Sequence, residues 1–200
     1  MLSLCFIYFV VTGLNYWATD YILTVFQVEE HVVQTLFAIV CVTGPICGVI
    51  LGGMLTTRVG GYTTYSALKL LVAESVFLPI LGLPIAFMQT FKATLFLIWL
   101  ILFIGGMALP NLMGIMLSVV EDHEKTTAFS VACFAFNAIG FIPAPFLYGV
   151  VSCNGTHSRA AFFTLMVLTT PFFGCVLAEA YFLKKTNIFG YEKEQDQINS

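Results

Sequence analysis

Long apolar stretches separated by short polar breaks dominate the pattern of this chain. Six stretches carry almost no charge, and the breaks between them collect acids, bases, amides and glycines. Because a bilayer core about 30 Å thick needs roughly 20 apolar residues in a helix, each stretch predicts one transmembrane helix. The predicted spans, numbered one to six, cover residues 2–26, 33–56, 65–88, 93–119, 127–152 and 160–183. The remaining residues, 184–200, are charged and lack periodicity, so we predict a disordered polar tail.

The composition agrees with a membrane protein and excludes several other classes. Apolar residues make up 59% of the chain and charged residues 10%, against roughly 45–50% and about 25% in soluble domains. No basic patch supports nucleic-acid binding. No nucleophile–base pair and no Cys/His cluster points to an enzyme, a metal site or another cofactor. We therefore predict an all-α membrane protein that is embedded in the lipid bilayer and has no cofactor and no catalytic residues.

The distribution of positive charge predicts how the spans are oriented. If the N-terminus faces the cytosol, the cytosolic loops and tail hold six of the eight Lys and Arg residues, and the opposite side holds only Lys92 and Arg159. This bias favours both termini in the cytosol. The sequon Asn154-Gly-Thr156 then lies outside, where Asn154 is a candidate for glycosylation. Which membrane holds the chain is left open by the sequence.

Polar side chains inside the spans are costly and therefore informative. Four carboxamides lie there, one each in spans one, two, four and five: Asn15, Gln34, Asn111 and Asn137. In span one, Tyr16 and Asp20 lie beside Asn15, which shares a face with other polar residues at steps of three and four. These residues predict either helix–helix hydrogen bonds or the wall of an aqueous cavity. The cavity is the preferred interpretation, with Asn15, Tyr16, Asp20 and Asn111 on the substrate pathway and Gln34 and Asn137 near the gates.

Small residues and acids in the other spans suggest where the helices pack. Span two carries the tandem Gly44-xxx-Gly48-xxx-Gly52, a spacing that lets two helix backbones approach closely. Glu74 and Glu179 lie in spans three and six, and we expect both to reach the membrane interface, solvated or paired with lysine. A proton-coupling carboxylate is the alternative interpretation of these two glutamates.

Two sequence motifs resemble the major facilitator superfamily of transporters. Gly53-Met-Leu-Thr-Thr57-Arg58-Val-Gly60-Gly61 is similar to that family's loop signature Gly-x-x-x-Asp-Arg-x-Gly-Arg, with Thr57 in place of the acid and Gly61 in place of the last base. Gly140-x-x-x-Ala144-Pro145 is similar to its Gly-x-x-x-Gly-Pro pattern. The stretches Phe9–Trp17 and Phe37–Gly44 resemble the start of the C-terminal half of spinster-like lipid transporters.

The resemblance implies a fold and a function that go beyond the residue patterns. It implies the C-terminal six-helix half, with 3+3 repeat topology, of a secondary active transporter that works by alternating access. The substrate would be a small organic molecule or a lysolipid- or sphingoid-like lipid, and an N-terminal six-helix half would come from the same longer chain or from a second subunit. A non-transporting, transporter-derived membrane subunit or scaffold remains the alternative function.

Overall fold

Helices account for most of the computed structural model, which describes residues 1–153 and 158–186. Six helical segments in these ranges are long and apolar enough to cross a membrane, which makes the chain a multi-pass membrane protein. The observed elements are α1 (Leu2–Phe26), α2 (Glu30–Arg58), α3 (Tyr65–Gly82) with a 3-10 turn (Leu83–Phe87), α4 (Phe91–Ser118), α5 (Lys125–Ala135) with a π-helical turn (Phe136–Phe141), α6 (Pro143–Cys153), α7 (Ser158–Val167) and α8 (Thr169–Thr186).

The six observed spans agree with the predicted stretches to within a few residues, although three of them are not single regular helices. Span three continues from α3 into the 3-10 turn, span five joins α5, the π-helical turn and α6, and span six joins α7 and α8. The last helix extends to Thr186 and therefore includes the first three residues of the predicted tail. The other residues of that tail, and the sequon at Asn154, lie outside the described ranges.

Prolines explain where the irregular spans depart from α-helix geometry. Pro143 has no amide hydrogen and its ring crowds the carbonyl four residues earlier, so the preceding turn widens. The amide of Ile142 accordingly donates to the carbonyl of Asn137, five residues back, at 3.1 Å. In span six, Pro171 cannot donate to Val167, and the break between α7 and α8 lies there. In span three, Pro84 lies in the first positions of the 3-10 turn.

Span one is the central helix of the bundle. It contacts α2, α4, span five and span six, whereas α2 packs mainly on α4 and α3 packs on α4 and α8. Within an 18-residue apolar stretch of each span, 56% is buried in span one, compared with 28% in span two and 22% in span five. Spans two and five therefore present the largest uncovered faces of this bundle.

Candidate functional site

An exposed polar surface lies on span one between spans two and five. Asn15 and Tyr16 are both exposed. The Asn15 Oδ1 accepts a hydrogen bond from the Cys41 thiol of α2 at 3.3 Å, and the Tyr16 ring meets the Phe141 ring of span five edge to face at 6.4 Å. One contact is with α2 and the other is with span five. The exposed surface of α1 therefore lies between these two spans. We call this the span-one surface.

The other predicted pathway and gate residues fall into two groups. Asp20 is exposed on the same helix as Asn15, one turn further toward the end of α1. Gln34 and Asn137 are exposed too, but each bonds within its own helix: Gln34 to the Glu30 carboxylate at 2.8 Å and Asn137 to a main-chain carbonyl at 2.8 Å. Three of the four predicted amides are therefore exposed, and Asn111 is the exception.

The tandem glycines of α2 lie against α4 at backbone distance. Gly44, Gly48 and Gly52 are all buried. A Cβ atom at Gly48 would overlap the carbonyl oxygen of Phe103 and would lie 3.1 Å from the Gly106 Cα atom. A Cβ atom at Gly52 would lie 2.7 Å from the Cα atom of the α4 residue beside it. The spacing predicts close helix packing, and the structure places α4 as the partner.

Span five packs on α1 through the second family-like motif. A Cβ atom at Gly140 would lie 2.5 Å from the Cys5 carbonyl oxygen and 3.1 Å from the Tyr8 Cβ atom. Further along, the indole of Trp17 donates to the Pro145 carbonyl at 3.1 Å. The motif residues of span five therefore fix this span against α1. Their role in the structure is helix packing at the edge of the span-one surface.

The glycine-rich loop motif turns the chain between α2 and α3. Gly60 and Gly61 have φ angles of 107° and 85°, which residues with a side chain rarely adopt. The Gly61 amide donates to the Thr56 carbonyl at 2.9 Å, a bond that closes the end of α2. Gly53 meets open space and Arg58 is exposed. The observed role of this motif is therefore to form a tight turn.

A buried polar cluster joins spans two, three and four beneath this turn. The Thr56 hydroxyl donates to the Asn111 Oδ1, and the Asn111 Nδ2 donates to the Glu74 Oε2 at 3.1 Å. Thr56 and Asn111 are fully buried, and Glu74 is 4% exposed. We call these three residues the buried polar cluster. Each of its members comes from a different helix, so the cluster exists only in the packed bundle.

The cluster corrects two expectations. Glu74 does not reach the membrane interface and is not paired with lysine, because α3 turns this residue toward α4. Asn111 does not lie on the span-one surface with Asn15, because α4 packs that face against α2 and α3. The substrate role expected for Asn111 therefore has no support from its position. Glu179, the second glutamate, is partly exposed and is paired with the N-terminal amine of Met1 at 3.3 Å rather than with a lysine.

One signal in the sequence could have revealed the burial of Glu74. The buried positions of α3 follow steps of three and four that include Glu74 and Ser75 between apolar residues: Ala67, Leu68, Leu71, Glu74, Ser75, Leu78 and Gly82. Such a stripe normally marks the packed face of a helix. In this helix the opposite face is just as apolar, so the stripe alone does not identify the buried side.

The acidic loop between α4 and α5 is a solvated surface feature. Lys125 hydrogen-bonds to Asp122 at 2.6 Å, and this bond together with the positive charge lowers the pKa of the Asp122 carboxyl. His123 lies near Glu121 at 3.4 Å, and both are exposed. In the described parts of the chain no three His, Cys, Asp or Glu side chains are grouped closely enough to bind a metal ion.

Comparisons with known proteins add no further constraint on identity. No protein-family model matches the chain, and no curated protein matches it. Its function must therefore be argued from the geometry described above.

Proposed function

We propose that this chain is one six-helix half of a secondary active transporter of the major facilitator superfamily. It moves a small organic or lysolipid- or sphingoid-like substrate by alternating access. The observation that carries this proposal is the span-one surface, where Asn15 and Tyr16 are exposed between two spans rather than buried in the bundle. Exposed polar groups at membrane depth require water, a substrate or another helix bundle to cover them.

The uncovered faces of spans two and five support the pairing of this half with a second bundle. Phe134 in span five is 76% exposed, and Ile46 in α2 is 54% exposed. These faces flank the span-one surface, so a second six-helix bundle that covered them would enclose that surface between the two halves. A central cavity between two repeats is the place where transporters of this architecture bind substrate.

The test compares two exposed tyrosines in the intact protein. Tyr16 is 58% exposed on the span-one surface, and Tyr181 is 64% exposed on α8. The protein is purified with any companion chain, reconstituted in proteoliposomes, and assayed for uptake of labelled lysophosphatidylcholine, sphingosine and choline. We expect Tyr16→Leu to reduce uptake about tenfold, which corresponds to about 1.4 kcal/mol. Tyr181→Leu, the matched control, should transport like the parent.

Two results would contradict this proposal. Equal uptake by the Tyr16→Leu and Tyr181→Leu variants would show that the span-one surface does not contact substrate. Absence of uptake for all three probes, with no second six-helix bundle in the purified protein or in its upstream reading frame, would favour the non-transporting subunit.

Cysteine cross-linking tests the second bundle separately. Ile46→Cys and Phe134→Cys should form cross-links to the other half, because both positions lie on the uncovered faces. Phe77→Cys, on α3, is the control: Phe77 is 53% exposed but lies on a span that packs away from the span-one surface. Cross-links at Phe77 alone would place the second bundle against α3, away from the span-one surface, and would contradict the proposal.

A further inference from the structure

The Glu74 carboxyl is buried with one oxygen unsatisfied. It lies on α3 nine residues after Tyr65, which corresponds to about 13 Å along the helix axis. Its Oε2 accepts the hydrogen bond from Asn111, but its Oε1 has no hydrogen-bond partner among the described residues. Buried polar groups are almost always hydrogen-bonded, so an orphaned carboxyl oxygen requires an explanation.

No cation neutralises this carboxyl in the described parts of the chain. Glu74 takes part in none of the ion pairs of these residues. The titratable and charged groups on α3, on the helices that pack against it and on α2 are Tyr65, Lys69, Lys92, Arg159, Cys175, Glu179, Tyr181, Lys184, Lys185, Glu30, His31, Cys41, Cys47 and Arg58. Lys69 of α3 and Lys184 of α8 line a groove of about 660 Å³, and neither forms an ion pair with Glu74.

These surroundings favour a neutral carboxylic acid in the present conformation. An ionised carboxylate without a cation in an apolar interior costs several kcal/mol. A protonated carboxyl avoids that cost: Oε2 still accepts the hydrogen bond from the Asn111 amide, and Oε1 carries the proton as a donor that no described residue accepts. The Asn111 amide group also completes the link to Thr56. The cluster therefore suits a carboxyl that is protonated when the bundle is closed.

A cavity lies one helical turn from the cluster and offers a route for the proton. This cavity measures about 340 Å³ and is lined by Leu71 of α3 and by Leu112 and Ile115 of α4, among others. Leu71 precedes Glu74 by three residues, and Ile115 follows Asn111 by four, so each lies one turn away on the same face. Its lining also includes Val120 after the end of α4 and the ion-paired Met1 and Glu179. An apolar layer that includes Leu71 therefore separates the carboxyl from the end of the bundle.

We propose that Glu74 is a proton-binding site that couples proton movement to transport. This inference rests on the proposed function, because coupling requires a transport cycle. When helix movement opens the apolar layer at Leu71, the Oε1–H bond breaks and the proton passes to a water molecule in the cavity, leaving a carboxylate that Asn111 holds by its hydrogen bond. When the layer closes, the carboxyl must first regain a proton. No electrons are transferred in this step.

Infrared spectroscopy tests proton binding without any transported substrate. The intact protein is measured in detergent between about pH 5 and about pH 9, where an isolated glutamate in water is mostly ionised. We expect a protonated-carboxyl band that Glu74→Gln removes. Glu121→Gln, which changes an exposed glutamate of the loop before α5, is the matched control and should keep the band. An identical spectrum for the parent and Glu74→Gln would overturn the proposal.

Sodium distinguishes a proton site from a cation site. The hydroxyl and amide oxygens of the cluster could also surround a small cation, in which case the carboxylate would be ionised throughout. Loss of the protonated band on addition of sodium chloride, with no such loss in potassium chloride, would overturn the proton assignment in favour of sodium. An unchanged band in both salts supports it.

Proton flux in proteoliposomes then tests coupling. With a probe that the parent takes up, an imposed pH gradient should accelerate uptake in the parent and in Glu121→Gln, but not in Glu74→Gln, which should still bind the probe. Gradient-stimulated uptake by Glu74→Gln would overturn the coupling role while leaving the proposed function intact. If the parent takes up no probe, the proposed function fails, and the infrared result alone decides whether Glu74 binds a proton.

Discussion

Replacement of Gly48 by alanine is the sharpest test of how the bundle is held together. The added Cβ atom would overlap the Phe103 carbonyl oxygen and would lie 3.0 Å from the carbonyl carbon of the same residue. Carbon atoms in contact prefer separations of about 3.5–4.0 Å, so α2 and α4 must separate by about 0.5 Å or more. Both partners are backbone atoms, which means that no side chain can rotate away.

Gly53 provides the matched control for this substitution. It lies on the same helix, and a Cβ atom there would meet nothing within 4 Å. Gly53→Ala should therefore stabilise the protein by about 0.5–1 kcal/mol, the usual difference between glycine and alanine in a helix. Gly48→Ala should gain the same amount and lose about 1–3 kcal/mol by overpacking, and Gly48→Leu should lose more.

The assay is thermal unfolding in mild detergent, followed by the loss of monodisperse protein. We expect the order of stability to be Gly53→Ala, parent, Gly48→Ala and Gly48→Leu. If Gly48→Ala is as stable as Gly53→Ala, the tandem glycines of α2 do not pack against the α4 backbone, and the contact described between α2 and α4 is wrong. If Gly48→Leu is also unaffected, this face of α2 must point to lipid or to an open cavity.

Three further predictions address orientation, the cluster and span five. Glu29→Cys should react with an impermeant maleimide added outside, and His123→Cys should react only after permeabilisation, because their loops lie at opposite ends of the bundle. The reverse labelling pattern would show that the predicted orientation is wrong. Thr56→Val should lower stability by about 1 kcal/mol through loss of the buried hydroxyl donor, measured by thermal unfolding, and no loss would argue against that bond. Gly140→Ala should lower the stability of the protein, because the added Cβ atom would press on the α1 backbone. Gly149→Ala should not, because a Cβ atom there would make only an ordinary contact of 3.8 Å with Trp17. Equal stability of the two variants in thermal unfolding would contradict the packing of span five on α1.

The test of Asp20 separates a transport role from a structural one. Asp20 is exposed on α1, so Asp20→Asn should leave stability within about 0.5 kcal/mol of the parent. If the residue contacts substrate, uptake or its pH dependence should change in the same preparation. Unchanged uptake with normal stability would exclude Asp20 from the substrate pathway, and lost stability would indicate a structural ion pair.

The number of spans and their positions could be predicted from the sequence alone. The thickness of the hydrocarbon core sets the length of each apolar stretch, and charged breaks cannot remain inside it, so a local pattern is sufficient. The glycine face of α2 was predictable for a similar reason, since three glycines at steps of four lie on one side of any helix. Asn15 and Tyr16 are exposed on span one, and their place on a substrate pathway stays a prediction.

Only the tertiary structure decided which helix each face meets. A helix that is apolar on every side carries little contrast between its lipid-facing and packed faces, so the sequence did not show that α3 turns Glu74 inward. Asn15 and Asn111 are the same residue type, each within an apolar span, yet one is exposed and the other is fully buried. The buried polar cluster takes one residue from each of three helices, and its hydrogen bonds depend on how those helices pack rather than on the local pattern of any one of them.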